Sequence, residues 1–420
     1  MILDGAETGE ESGGSLHTRR DLIRAGAGVA GIFTLGPAFW EALAAPAPVG
    51  PSPYGRLGPP DVNGIRLPAG FRSRIVARGG QPVQGTSYVW HVFSDGASTF
   101  RTSDGGWILV SNSEVPTPVD LPFAPPIGNP GEGGASAIRF APNGAIRSAY
   151  RILSGTSSNC AGGPTPWSTW LSCEEVEDGM VWECDPRGVH KARARPALGV
   201  FKHEAVCVDP RRGHVYLSED EGDGGLYRFT PRRKGDLSAG RLEIARVRGD
   251  RIVEWRPVPD PSATTRPLRE QVPGATEFKR GEGIWFDSDR VYLATTGDSR
   301  IWEYNAQSRR IRVIYDPARI ENAPLTDVDN ITVSRSGDLF VCEDNGGPDP
   351  FDICIVTREP ERRVARFLKL TGPQHGDPDT EAVSEVAGVC FNPKGGRMYL
   401  SSQRGYGAGV VYEVMGPFRR

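Results

Sequence analysis

The chain has 420 residues, with 49 Lys and Arg against 52 Asp and Glu for a net charge of −3, so no basic field recommends nucleic acid as a partner. Its 53 Gly and 36 Pro beside a modest 38% apolar content suit many short strands joined by tight turns, not long helices. Seven cysteines, an odd number at irregular spacing, argue against a disulfide framework and leave a thiol for other work.

The N-terminus reads as an address. Thr18-Arg19-Arg20-Asp21-Leu22-Ile23 is a twin-arginine pattern, followed by an uncharged, Gly- and Ala-rich run from Ala25 to Trp40. Ala42-Leu43-Ala44 then offers small residues at signal-peptidase spacing. The run is short for a membrane span and is broken by glycines and Pro37, so no stable span is expected. The expectation is a twin-arginine signal over 1–44, a Pro-rich linker over 45–60 and a single domain over 61–420. Export through the Tat machinery to the periplasm or beyond follows, and such export often carries metalloproteins.

The domain carries an internal repeat. Hydrophobic strands recur after Asp/Pro/Gly turns: Trp107 to Glu114, Trp170 to Glu175, Val215 to Glu221, Val291 to Thr296, Leu339 to Asn345 and Met398 to Gln403. Each follows another strand, and several lead into a third that ends on an aromatic, as in Leu226-Tyr227-Arg228-Phe229 and Ile301-Trp302-Glu303-Tyr304. Hairpin units at this period predict an all-β fold, a six-bladed β-propeller with a metal site in its central channel.

In a propeller, equivalent positions of different blades meet at the axis. The strand ends place Glu114, Cys173, Glu174, Glu204, Glu219, Asp220, Glu282, Glu343 and Asp344 there. So many ionised carboxylates in one funnel need multivalent cations. Oxygen ligands suit calcium, and Cys173 argues for a softer metal in the same cluster. Period-2 alternation turns Glu175 away from Glu174, which makes Glu174 the expected ligand. The same alternation puts His203 on the face opposite Glu204, where it packs between blades or orients a neighbour, and His91 reads as structural too.

At this point the chain resembles the PhoX-type alkaline phosphatases. The residues that carry the resemblance are Asn159-Cys160-Ala161-Gly162-Gly163-Pro164-Thr165-Pro166-Trp167 through Cys173-Glu174-Glu175 and Phe201-Lys202-His203-Glu204-Ala205. They continue with Tyr216 to Asp220, Gly281-Glu282-Gly283, Asp329-Asn330-Ile331-Thr332 and Cys342-Glu343-Asp344. The resemblance implies hydrolysis of phosphate esters, phosphomonoesters first, at a cluster of ferric iron (Fe3+) and calcium (Ca2+). It implies Cys173 as thiolate ligand to iron and Cys173, Glu174, Glu204 and Glu282 as the catalytic centre, with the remaining acids shared between metals. The chain is compact for such a family, and Thr295-Thr296 leaves one blade without an acidic strand end.

Lys202, Arg280 and Arg404 each adjoin a motif acid and are candidates for holding a phosphate. A monomer acting on a small-molecule ester is expected. Two alternatives are a calcium-dependent propeller lactonase or hydrolase, which has no need of Cys173, and a non-catalytic calcium-binding propeller. No Gly-rich phosphate loop, G-x-S-x-G elbow or Cys-x-x-Cys pair points to other chemistry.

Overall fold

The computed structural model describes residues 46–116, 132–344, 351–375 and 384–420, all within a compact unit from Ala45 to Arg420. The twin-arginine segment lies outside the described residues. The described residues hold strands and short 3-10 turns arranged as six sheets, the blades of a propeller.

Blades 1 to 6 begin with the inner strands Ser94–Arg101, Asn159–Pro164, His203–Val208, Gly281–Asp287, Val328–Val333 and Val386–Phe391. Second strands follow in the same order, Trp107–Ser113, Trp170–Glu174, Val215–Glu219, Arg290–Thr295, Leu339–Glu343 and Arg397–Ser402. All are antiparallel to their inner strands, and they coincide with the six repeats.

Chain ends close the ring. Arg72–Arg78, from the N-terminal side, pairs with Val410–Met415 and becomes the outer strand of blade 6. The stretch expected as a free linker is not one in its described part. Ala47 N–H donates to Ile314 O at 2.9 Å, Val364 N–H donates to Pro48 O at 2.9 Å, and Leu57–Pro60 pairs with Ile65–Pro68 on the edge of blade 5. Proline lacks an amide donor but still accepts, which suits the outer edge of a sheet.

Six apolar clusters hold the blades together, one at each interface between neighbours. Alternation along the second strands feeds both sides. Trp107 and Leu109 pack toward blade 6, whereas Ile108 and Val110 pack toward blade 2. Tyr292 and Ala294 face blade 5, whereas Val291 and Leu293 face blade 3. These strands are buried on both faces, so they read as continuous apolar runs.

Candidate metal centre at the propeller axis

The site is built by register. The second residue of each inner strand is Asp95, Cys160, Glu204, Glu282, Asp329 or Ala387, and these form a lower ring. The third is Gly96, Ala161, Ala205, Gly283, Asn330 or Gly388, nearly all small. In all six blades the pairing to the second strand slips by one residue near this point. Such a bulge bends the strand and re-aims a side chain that a regular ladder would bury in the sheet. Small residues follow because neighbouring inner strands nearly touch. A Cβ on Gly96 would lie 2.4 Å from Ala161 Cα, and one on Gly388 would lie 2.5 Å from Asp95 O.

An upper ring comes from the residue just past each second strand: Glu114, Glu175, Asp220, Thr296, Asp344 and Gln403. One hydrogen bond recurs in every blade to hold it. The backbone N–H of the upper-ring residue donates to the carbonyl of the residue before the inner strand: Glu114 to Phe93, Glu175 to Ser158, Asp220 to Lys202, Thr296 to Arg280, Asp344 to Asp327 and Gln403 to Glu385, at 2.9–3.3 Å. Phe93, Ser158, Arg280 and Asp327 adopt positive φ of 43–51°, the left-handed region that non-glycine residues seldom occupy. Backbone strain of this kind concentrates at functional sites.

Across the rings, three groups of ligand atoms lie within 4.8 Å of one another: Asp95, Glu114 and Cys160; Cys160, Glu175 and Glu204; and Glu204, Glu282 and Asp329. Cys160 and Glu204 each belong to two groups, so the set is a continuous chain of donors. Glu204 is 0% exposed, and neither of its carboxylate oxygens has a hydrogen-bond partner. Leaving such a group unmatched is costly, and a bound cation would satisfy it.

Electrostatics at the axis follow from burial and crowding. Burial, then the nearby Asp95 charge, raises the Glu114 carboxyl to about 7. Burial, then Glu114, raises Glu175 to about 8. Glu204, Glu282, Asp329 and Glu385 are pushed well above the usual carboxylate range, each by burial first and, for the first three, then by a neighbouring acid. Burial, then Asp95 and Glu204, raises the Cys160 thiol well above its ordinary value.

The positive side chains form a partly exposed fringe. Lys202 Nζ lies 2.9 Å from Asp220 and 3.1 Å from Glu175. Arg280 Nε lies 2.9 Å from Asp220, and its Nη2 lies 3.1 Å from Glu282. Arg404 reaches Glu385 at 3.5 Å and Glu114 at 4.0 Å.

Glu114, Glu204, Asp220 and Glu282 are thus brought to the axis, where Asp344 takes its upper-ring place. Four of the expected residues are not. Cys173 is fully buried in the apolar cluster between blades 2 and 3, beside Leu171, Val181 and Val206. Its strand lies one layer out from the axis, and alternation sends it sideways.

Glu174, Glu219 and Glu343 are the last residues of their second strands and turn back into their own blades. Glu174 accepts from Ser157 N, Met180 N and Trp182 Nε1 at 2.8–3.2 Å. Glu219 accepts from Gly225 N and Tyr227 Oη and pairs with Arg269 at 2.8 Å. Glu343 accepts from Thr326 N at 2.8 Å and Asp352 N at 3.2 Å. Glu175, expected to turn away, is the one that reaches the axis. His203 is buried with its ring against Phe201, centroids 3.6 Å apart, in the packing role expected of it.

Asp95, Cys160, Glu175, Asp329 and Glu385 complete the site. A signal for the first ring was present in the sequence: Asp95-Gly96, Cys160-Ala161, Glu204-Ala205 and Glu282-Gly283 each set a ligand type before a small residue at the head of an apolar run.

Among solved structures, a Bacteroides thetaiotaomicron protein of unknown function is similar over 85% of this chain and 84% of its own, at 8% identity and a TM-score of 0.50. A Xanthomonas campestris gluconolactonase covers 87% of this chain and 99% of its own at 12% identity and a TM-score of 0.45. The pyranose dehydrogenase PQQ domain of Coprinopsis cinerea covers 85% and 98% at 10% identity and a TM-score of 0.49. At such identities the likeness bears on the fold alone. No curated protein matches the sequence. The family described as alkaline phosphatase PhoX matches residues 132–405. That match runs from just before the third strand of blade 1 to just past the second strand of blade 6, and this chain belongs to the PhoX alkaline phosphatase family.

Proposed function

We propose that this protein is an exported, metal-dependent phosphatase that hydrolyses phosphate monoesters at the propeller axis, with Fe3+ and Ca2+ as its cations. The observation that carries the reading is Glu204, fully buried with both carboxylate oxygens unpartnered, at the junction of two of the donor groups. Its surroundings fit the cations. Cys160 supplies a soft donor to two groups, and Asp95, Glu114, Glu175, Glu282 and Asp329 supply hard ones.

When bound, the cations would balance the acids and polarise the phosphoryl oxygens as Lewis acids. The chain's own residues do the rest. Lys202, Arg280 and Arg404, with side chains 28%, 43% and 40% exposed, present cationic donors at the fringe, where a phosphate dianion would be received. Asp220 accepts from Lys202 and from Arg280, each at 2.9 Å, so it fixes the direction of both. Cys160 has no counterpart in lactonase chemistry, which would need only the acids.

The test is to measure iron and calcium in the purified protein and to assay p-nitrophenyl phosphate with and without chelation. Bound iron and calcium with chelator-sensitive phosphate release is the expected result. Calcium without iron, and no release, would defeat the reading.

Export rests on the twin-arginine pattern at Arg19-Arg20. No helix among the described residues is long and apolar enough to cross a membrane. Fractionation of cells expressing the full chain and an Arg19→Lys/Arg20→Lys variant tests it, with the variant retained in the cytoplasm.

A further inference from the structure

Two members of the upper ring are uncharged: Thr296 of blade 4, whose hydroxyl donates to Val328 O, and Gln403 of blade 6. Blades 1, 2, 3 and 5 place Glu114, Glu175, Asp220 and Asp344 there, and blade 6 places Gln403 at the same register. Gln403 is 0% exposed, and its backbone N–H makes the recurrent bond to Glu385 O at 3.1 Å. Its side-chain amide nitrogen donates at 2.5 Å to both Asp95 Oδ2 and Glu114 Oε2. In the ionised form that ligates a cation both partners are acceptors, and the NH2 face of the amide is the one turned toward them. The amide oxygen is buried and has no hydrogen-bond partner. Asp95 and Glu114 are two of the three members of the first donor group, the third being Cys160.

We infer that Gln403 is a positioning residue for the Asp95–Glu114–Cys160 group, a neutral clamp from blade 6 that holds two ligands supplied by blade 1. Its two N–H donors each occupy one carboxylate oxygen, so Asp95 and Glu114 are held together without a third negative charge. A carboxylate at this position would lack those donors and add repulsion. Outer-shell groups of this kind change cation affinity by about 10- to 100-fold when removed. The inference rests on the cation reading above.

The experiment titrates calcium and Fe3+ separately into cation-free wild type, Gln403→Leu and Gln403→Glu. It reads bound equivalents, the affinity of each, and thiolate-to-iron charge-transfer absorption. Leucine keeps the approximate shape and removes both donors. The expected result for Gln403→Leu is one cation class weakened about 10- to 100-fold, a shifted absorption band, and the remaining cations bound as in wild type. Gln403→Glu should be weakened at least as much. Wild-type binding by Gln403→Leu, or tighter binding by Gln403→Glu, would overturn the inference alone. Equal weakening of every class would overturn it too, because the residue would then support the ring as a whole. A wild-type protein that binds neither cation overturns both the cation reading and the inference built on it.

Discussion

Cys160 and Cys173 are both buried, but their surroundings differ in kind. Cys173 touches Leu171, Val181 and Val206 and behaves as a small apolar side chain. Cys160 sits among Asp95, Glu114, Glu175 and Glu204. Serine substitution separates the two roles. Cys173→Ser puts a hydroxyl into an apolar core and is expected to cost about 1–3 kcal/mol of stability, read by denaturant unfolding, with cation content unchanged. Cys160→Ser is expected to lower iron content and phosphate release by an order of magnitude or more while leaving the melting temperature of the cation-free protein near that of wild type. Reversed outcomes would return the ligand role to Cys173.

At the scale of the element, the unit of design is a strand end. Each second strand finishes with a residue that caps its own blade and then one that faces the axis, as in Glu219 followed by Asp220. Glu219 holds Arg269, Tyr227 and Gly225, and breaking such a buried pair costs about 3–5 kcal/mol. Glu219→Ala should therefore lower stability by about that much and spare cation binding, whereas Glu204→Gln should spare the fold and weaken binding. Chemical denaturation and cation titration on the same preparations distinguish them.

Adjacent acids with opposite duties are not separable from the sequence motif, since Glu174 and Glu175 are chemically alike and only the strand's exit geometry tells them apart. The strands themselves were legible, because apolar runs bounded by Asp, Gly and Pro leave little choice. The inner-strand bulges were not, because a one-residue slip in register is a property of the pairing and not of either strand.

Across the whole molecule, the axis stores like charge that the ring must contain. In the cation-free protein, Glu114 and Glu175 have carboxyls raised to about 7 and about 8. The unfolded chain releases those protons near pH 4.3, so between that pH and about 8 the folded state binds more protons than the unfolded state. Stability must then fall as pH rises through this window. The melting temperature of chelated protein should drop from pH 5 to pH 9, and the gap to cation-loaded protein should widen; a gap independent of pH would contradict this. Closure of the ring is equally testable. Removing residues 46–78 deletes the outer strand of blade 6 and exposes the edge of Val410–Met415, an unpaired edge prone to association. Gel filtration should show aggregation or loss of the folded monomer-sized species.

The sequence by itself determined the six-fold repeat, the strand character of each unit and a supply of acids at recurring positions. Those follow from local periodicity, turn chemistry and composition, which act over a few residues. Tertiary structure alone decided which thiol and which acid of each pair meet at the axis, that the last blade closes with Arg72–Arg78, and that Gln403 spans two blades to hold Asp95 and Glu114. Each of these depends on a one-residue register or on contacts between segments far apart in the chain, set by ring closure and by packing between neighbouring blades.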